Sequence, residues 1–173
     1  MIFTMKLRKL PYLVVFSVLA SFSLLPLSVI GGESMGVLKA EPAYPFSGFS
    51  GQLLFKGKPA SNAKITRKYE LLKDQHEETI TADQDGNFSF DSILIQYRVP
   101  LIASHDFLAR QQLFVDYEGE TYQIWGGSKT GMEEYSEFGG KPSRLRCELT
   151  DDPRKVKNEE SGFIGTSCHW EID

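Results

Sequence analysis

The chain has 173 residues, 41% of them hydrophobic and 24% charged, with a formal net charge of −4. That is room for one domain of ordinary size, and the composition is that of a foldable globular protein rather than a disordered one. The first 34 residues hold three basic side chains (Lys6, Arg8, Lys9) and one acid (Glu33), so the remainder carries 16 basic and 22 acidic groups, a formal −6. An acidic body repels phosphate backbones, which argues against nucleic acid as a partner and leaves a basic or amphipathic one.

Residues 1–34 have the layout of an export signal: a basic stretch at residues 6–9, then an uncharged run over 10–32. Pro26 interrupts the run near its end, and small residues follow at Gly31, Gly32 and Ser34. These features favour cleavage, with a cut after Ala40 as another position. The apolar length also suffices for an uncleaved anchor, which would be the chain's one attachment to a membrane. In either case the basic end stays in the cytoplasm and the body lies outside, in the periplasm or secreted. Residues 35–46, with Pro42 and Pro45, read as a linker.

Beyond residue 46, turn signals recur every eight to twelve residues between β-rich runs. The runs are 46–55, 63–71 (Ile65, Arg67 and Tyr69 on alternate positions), 77–82, and 88–95 with Phe88 and Phe90 on one face. Then come 99–103, 111–117 and 121–125. The charged stretch 73–78, which includes His76, reads as a loop. Residues 126–142 are rich in glycine and read as an irregular segment with one helical turn around residues 132–138. Two last strands, 145–149 and 163–172, flank a charged loop at 151–160. No sustained helical period appears beyond the leader. The expected fold is all-β, an antiparallel sandwich of about seven strands over 47–125, followed by the glycine-rich segment and a C-terminal β extension over 126–173.

Cys147 and Cys168 form an even pair in an exported chain and read as one disulfide tying the last two strands. A metal site using both with His169 lacks a close Cys-x-x-Cys pair and a fourth ligand.

Residues 48–95 carry a motif series: Gly51-Gln52-Leu53-Leu54, Lys56-Gly57-Lys58-Pro59-Ala60, Asn62-Ala63-Lys64-Ile65, and Thr81-Ala82-Asp83-Gln84-Asp85-Gly86-Asn87-Phe88-Ser89-Phe90. The series resembles the carboxypeptidase-regulatory-like family, also called transthyretin-like or prealbumin-like. Its members read G-x-V, G-x-P-x-x-x-A-x-V and T-D-x-x-G-x-F-x-F. Leu53 and Ile65 stand for the two valines, and Ala82 separates Thr81 from Asp83. In physical terms Gly57 and Pro59 shape a first hairpin turn, Ala63 is small at a close packing point, and Gly86 is free to take positive φ in a second turn. The resemblance implies a sandwich module that is non-catalytic and serves folding, adhesion or binding. A ureide-ring hydrolase shares that architecture, but its terminal Tyr-Arg-Gly-Ser is missing, since this chain ends Trp170-Glu171-Ile172-Asp173.

Other chemistry is thin. Asp83, Asp85 and Asn87 offer oxygen ligands but lack EF-hand spacing, and a β-turn accounts for them. His105 beside Asp106 has no nucleophile elbow, and adjacent strand residues face opposite ways, so Ser104-His105-Asp106 is no triad. The pairs Glu77-Glu78, Glu133-Glu134 and Glu159-Glu160 read as solvated loops rather than as an acid/base pair across a cleft. No cofactor and no metal is expected. The strongest binding candidate is residues 122–138, where Trp125, Tyr135 and Phe138 meet flexible glycines and the acids Glu133 and Glu134. Burial of Trp125 as core is the competing account. The expected function is non-catalytic: an exported envelope protein that binds a protein partner, such as an immunity or inhibitor protein against a toxin or enzyme acting in the periplasm. The alternatives are a structural or carbohydrate-contacting envelope module, and a transthyretin-related hydrolase.

Overall fold

The computed structural model describes residues 39–99, 107–158 and 162–173. Residues 1–34, read above as an export signal, His105 with its neighbours, and Glu159 and Glu160 lie outside the described residues. In chain order the strands are β1 (Lys39–Phe46), β2 (Phe49–Phe55), β3 (Lys58–Pro59), β4 (Lys64–Leu71), β5 (Asp74–Thr81), β6 (Asn87–Phe90) and β7 (Ile93–Val99). They continue with β8 (Ala109–Tyr117), β9 (Glu120–Lys129), β10 (Pro142–Glu148), β11 (Arg154–Asn158), β12 (Gly162–Thr166) and β13 (Cys168–Ile172).

The protein is an all-β sandwich. One layer is a six-stranded sheet in the order β11-β12-β9-β8-β4-β5. The other is a five-stranded sheet in the order β13-β10-β2-β3, with β6 also on β2, and β1 and β7 form a separate two-stranded ladder. Alternation drives the assembly. In β4 Ile65, Arg67, Tyr69 and Leu71 point inward while their neighbours face out, and in β8 Ala109, Gln111, Leu113 and Val115 do the same. They meet Phe49, Leu53, Phe88, Phe90, Leu145 and Cys147 from the facing layer.

Among the described strands, all pairings are antiparallel except one. β10 lies parallel to β2, with Leu145 opposite Gly51 and Glu148 opposite Leu54. Gly51 is what permits this approach, because a Cβ there would come within 2.5 Å of the Leu145 side chain and 2.9 Å of its carbonyl oxygen. Gly86 takes φ 75° in the turn before β6. In that turn Asp83 accepts hydrogen bonds from the amides of Asp85 (2.9 Å) and Asn87 (2.7 Å), so its oxygens serve the turn itself.

Five segments depart from the sequence reading. The stretch read as a linker is the strand β1, with Ala43 and Phe46 buried. Its prolines are tolerated because β1 pairs with β7 alone. The charged stretch holding His76 is part of β5, reached through a tight turn at Leu72 (φ 57°). The charged loop after β10 contains β11, an edge strand whose Lys155 and Lys157 keep the sheet margin wet. The runs 88–95 and 163–172 each divide between sheets, as β6 and β7 and as β12 and β13.

Cys147 and Cys168 sit opposite one another on β10 and β13 and are joined by a disulfide. Both thiols are consumed, which removes the metal reading with His169. Reducing this bond, which spans a sequence separation of 21, is expected to lower stability by about 3 kcal/mol, read as a shift in urea midpoint with and without reductant.

Glu148 closes β10 onto the β2–β3 turn. Its carboxylate accepts the amides of Lys56 (2.9 Å), Gly57 (2.9 Å) and Thr150 (3.1 Å) and the Thr150 hydroxyl (2.6 Å). Partial burial pushes its pKa up, but these bonds outweigh burial and hold it below the usual glutamate value of 4.5. Its contribution is therefore complete above that value and lost as pH falls through the depressed one. Glu148→Gln is expected to flatten the acid limb of stability measured by urea titration from about pH 6 to about pH 3.

Candidate functional site

The glycine-rich segment begins inside β9, which continues through Gly126 and Gly127 to Lys129. Gly127 allows β12 to lie alongside, because a Cβ there would meet the Phe163 carbonyl oxygen at 2.5 Å. The inward alternation of β9 then delivers Lys129 into the interior, fully buried. Residues 131–140 follow as consecutive turns, with Phe138 N donating to the Tyr135 carbonyl at 3.0 Å and Gly139 N to that of Ser136 at 3.3 Å.

These turns carry Glu137, also fully buried, back to Lys129. The Nζ–Oε2 distance is 2.6 Å. Ser47, between β1 and β2, completes the cluster. Its amide donates to Glu137 Oε1 at 2.9 Å and its hydroxyl to Oε2 at 2.9 Å. The same hydroxyl oxygen accepts from Lys129 Nζ at 3.1 Å and from the Tyr135 amide at 2.7 Å. Burial lowers the Lys129 pKa, against the opposing pull of Glu137.

Two further buried polar side chains extend the cluster. Gln111 donates to the Pro45 carbonyl (2.8 Å) and to Glu137 Oε1 (3.2 Å), and accepts from the Trp125 indole N–H (3.2 Å). Arg67 donates to the carbonyls of Ser47 (3.2 Å) and Asp91 (2.8 Å), and pairs with Glu78. Its guanidinium lies 4.5 Å from the centroid of the Phe90 ring and 5.2 Å from that of Phe46. Burial pushes its pKa down, opposed by Glu78. Among the described residues, Ser167 Oγ is the one buried side-chain polar atom without a hydrogen-bond partner.

The five residues singled out from sequence divide sharply. Trp125 is 1% exposed and packs on Phe138 (5.2 Å between ring centroids), Trp170 (5.7 Å) and Phe46 (6.4 Å). Phe138 is buried too, so neither ring meets a partner. A sandwich needs large side chains to fill the gap between layers, and Gln111 satisfies the indole N–H, so burial wins. Glu133 is exposed, and Glu134 and Tyr135 are half-buried at the surface. Glu134 accepts from the Ser92 hydroxyl. Tyr135 holds φ 64°, a left-handed backbone that its amide bond to Ser47 stabilises. Burial and then Glu134 raise the Tyr135 phenol. A depression of about 420 Å³ beside them includes Ser92, Tyr135, Lys141 and Arg144.

Lys129, Glu137, Ser47, Gln111 and Arg67 were not anticipated. Arg67 alone had a legible signal, since it alternates with Ile65 and Tyr69. His76 stacks on Tyr69 (5.4 Å between centroids) in the six-stranded sheet, and His169 lies on β13 in the other layer.

Lys129→Met, which leaves Glu137 charged and buried, is expected to cost about 3–5 kcal/mol in urea unfolding. Lys129→Met with Glu137→Gln is expected to cost less than the single change, because no buried charge is then left unpaired.

A family model described as a domain of unknown function (DUF6795) matches residues 49–152. No curated protein and no solved structure matches the chain.

Proposed function

The chain belongs to the DUF6795 family, and we propose that this member is a non-catalytic exported protein of the cell envelope that binds a protein partner through its 131–140 loop. The observation that carries this reading is the buried Lys129–Glu137 pair with Ser47 at its centre. It fixes a loop without regular secondary structure in one shape, so little ordering is left to be done when a partner arrives. The polar groups of the Lys129–Glu137 cluster are spent on one another, as a scaffold requires, and the loop side chains at the surface include Glu133, Glu134 and Tyr135. A half-buried tyrosine between carboxylates suits a partner patch that mixes apolar and basic groups.

The leader at residues 1–34, the disulfide and the acidic body support placement in the periplasm or outside the cell. The resemblance of residues 48–95 to carboxypeptidase-regulatory-like modules supports a binding role over a catalytic one. Within that role, neutralising a toxin or inhibiting an envelope enzyme suits a small rigid protein that presents a prepared loop.

Affinity capture from envelope extract tests the reading, using the wild type beside Glu133→Lys with Tyr135→Asn, the asparagine being chosen to tolerate the left-handed backbone. A specific protein is expected with the wild type and at least about tenfold less of it with the variant. Equal recovery by both, or no protein recovered by the wild type, would sink the proposal.

A further inference from the structure

β2 ends at Phe55, β8 ends at Tyr117 and β9 begins at Glu120, whereas the 131–140 loop follows the far end of β9. Three turns meet where those strands end. Lys56–Gly57 has φ of 52° and 74°, and Glu118–Gly119 has 51° and 83°, both left-handed pairs suited to tight hairpins. The third turn, residues 149–152, follows β10 and is tied to the first through Glu148.

Between them lies a cleft of about 530 Å³. Phe55 and Tyr122 wall it, with ring centroids 6.1 Å apart and planes at 60°. Tyr117 stands edge-on to Phe55 at 5.4 Å. All three rings remain half-exposed. Glu118, Glu120, Asp151 and Asp152 line the cleft as well. The Tyr122 hydroxyl donates to Glu120 Oε2 at 3.0 Å, which holds that carboxylate beside the rings. A cation already rests on one wall, for Lys56 Nζ lies 4.7 Å from the Phe55 centroid. Ring faces attract cations through their quadrupole, and the attraction grows as water is excluded.

We propose that this cleft is a docking site for a lysine or arginine side chain on a basic polypeptide partner, with the cation against Phe55 and Tyr122 and its charge met by the four carboxylates. The site is independent of the 131–140 loop and chemically unlike it. A polypeptide bearing several basic residues fits better than a small cation, because the carboxylates come from two segments well separated in the chain, 118–120 and 151–152. The acidity of the whole body then steers such a partner inward without fixing where it lands, and the rings supply the address.

The test is fluorescence anisotropy with a labelled octalysine peptide and the full chain. Glu118→Gln with Glu120→Gln removes two charges at the cleft, and Glu133→Gln with Glu134→Gln removes two at the loop. The cleft pair is expected to weaken binding at least about tenfold, Tyr122→Leu about fivefold, and the loop pair less than about twofold. Equal losses from the two charge pairs would mean general attraction to an acidic surface and would overturn the proposal. Absence of binding by the wild type at about 50 mM salt would overturn it as well. Because both glutamates of the cleft pair are exposed, the result does not depend on whether the Tyr122 variant folds. The loop variants of the capture experiment leave this cleft intact, so the two proposals fail separately.

Discussion

A lysine ammonium and a glutamate carboxylate, each without any exposed surface, lie 2.6 Å apart in the interior of an all-β protein. Removing two charges from water costs several kcal/mol per ion, and attraction alone repays that only when the remaining donors and acceptors are met. Here Ser47 and Gln111 meet them, and the Tyr135 amide holds the Ser47 hydroxyl in place. The arrangement is therefore all-or-none. The crossing from β1 to β2, the end of β9 and the 131–140 turns must arrive together, since any one missing leaves a buried charge short of partners. Arg67 extends the same demand to β4 and, through Glu78, to β5.

This constraint explains why the aromatic core is so concentrated on one side. Trp125, Phe138, Trp170, Phe46 and Phe49 pack ring on ring, and the Trp125 indole N–H reaches the polar cluster through Gln111. A dry surround strengthens each hydrogen bond and raises the cost of losing one. The opposite ends of the sandwich thus differ in kind. One end is stiffened from within by buried charge. The other is stapled by Glu148 and leaves its rings half-covered, with carboxylates around them. A protein with two such ends has two chemically distinct faces to offer, one shaped by a fixed loop and one by aromatic walls.

Local chemistry was legible in the sequence wherever neighbours decide the outcome. Phe88 and Phe90 alternate into the core, Gly86 takes its left-handed turn, Ala63 is buried, and the two cysteines pair. Legibility failed where a distant partner decides. β1 carries two prolines and became a strand because β7 offers it a single neighbour. β11 is charged and became a strand because β12 supplies the hydrogen bonds. Lys129 sits among glycines and polar residues, a pattern that reads as surface, and only the inward register of β9 and the return of Glu137 bury it. Trp125 was visible as a notable side chain, but its direction depends on β8, across a bulge between Leu113 and Phe114.

The parallel register of Gly51–Leu54 on Leu145–Glu148 has a kinetic corollary. A ladder joining segments more than ninety positions apart closes a very long loop, and such closure is entropically slow. During synthesis β2 emerges early and stays without its neighbour until nearly the whole polypeptide has followed. Completion of that sheet is thereby a late event, and an unfinished chain retains an open β edge for as long as the wait lasts.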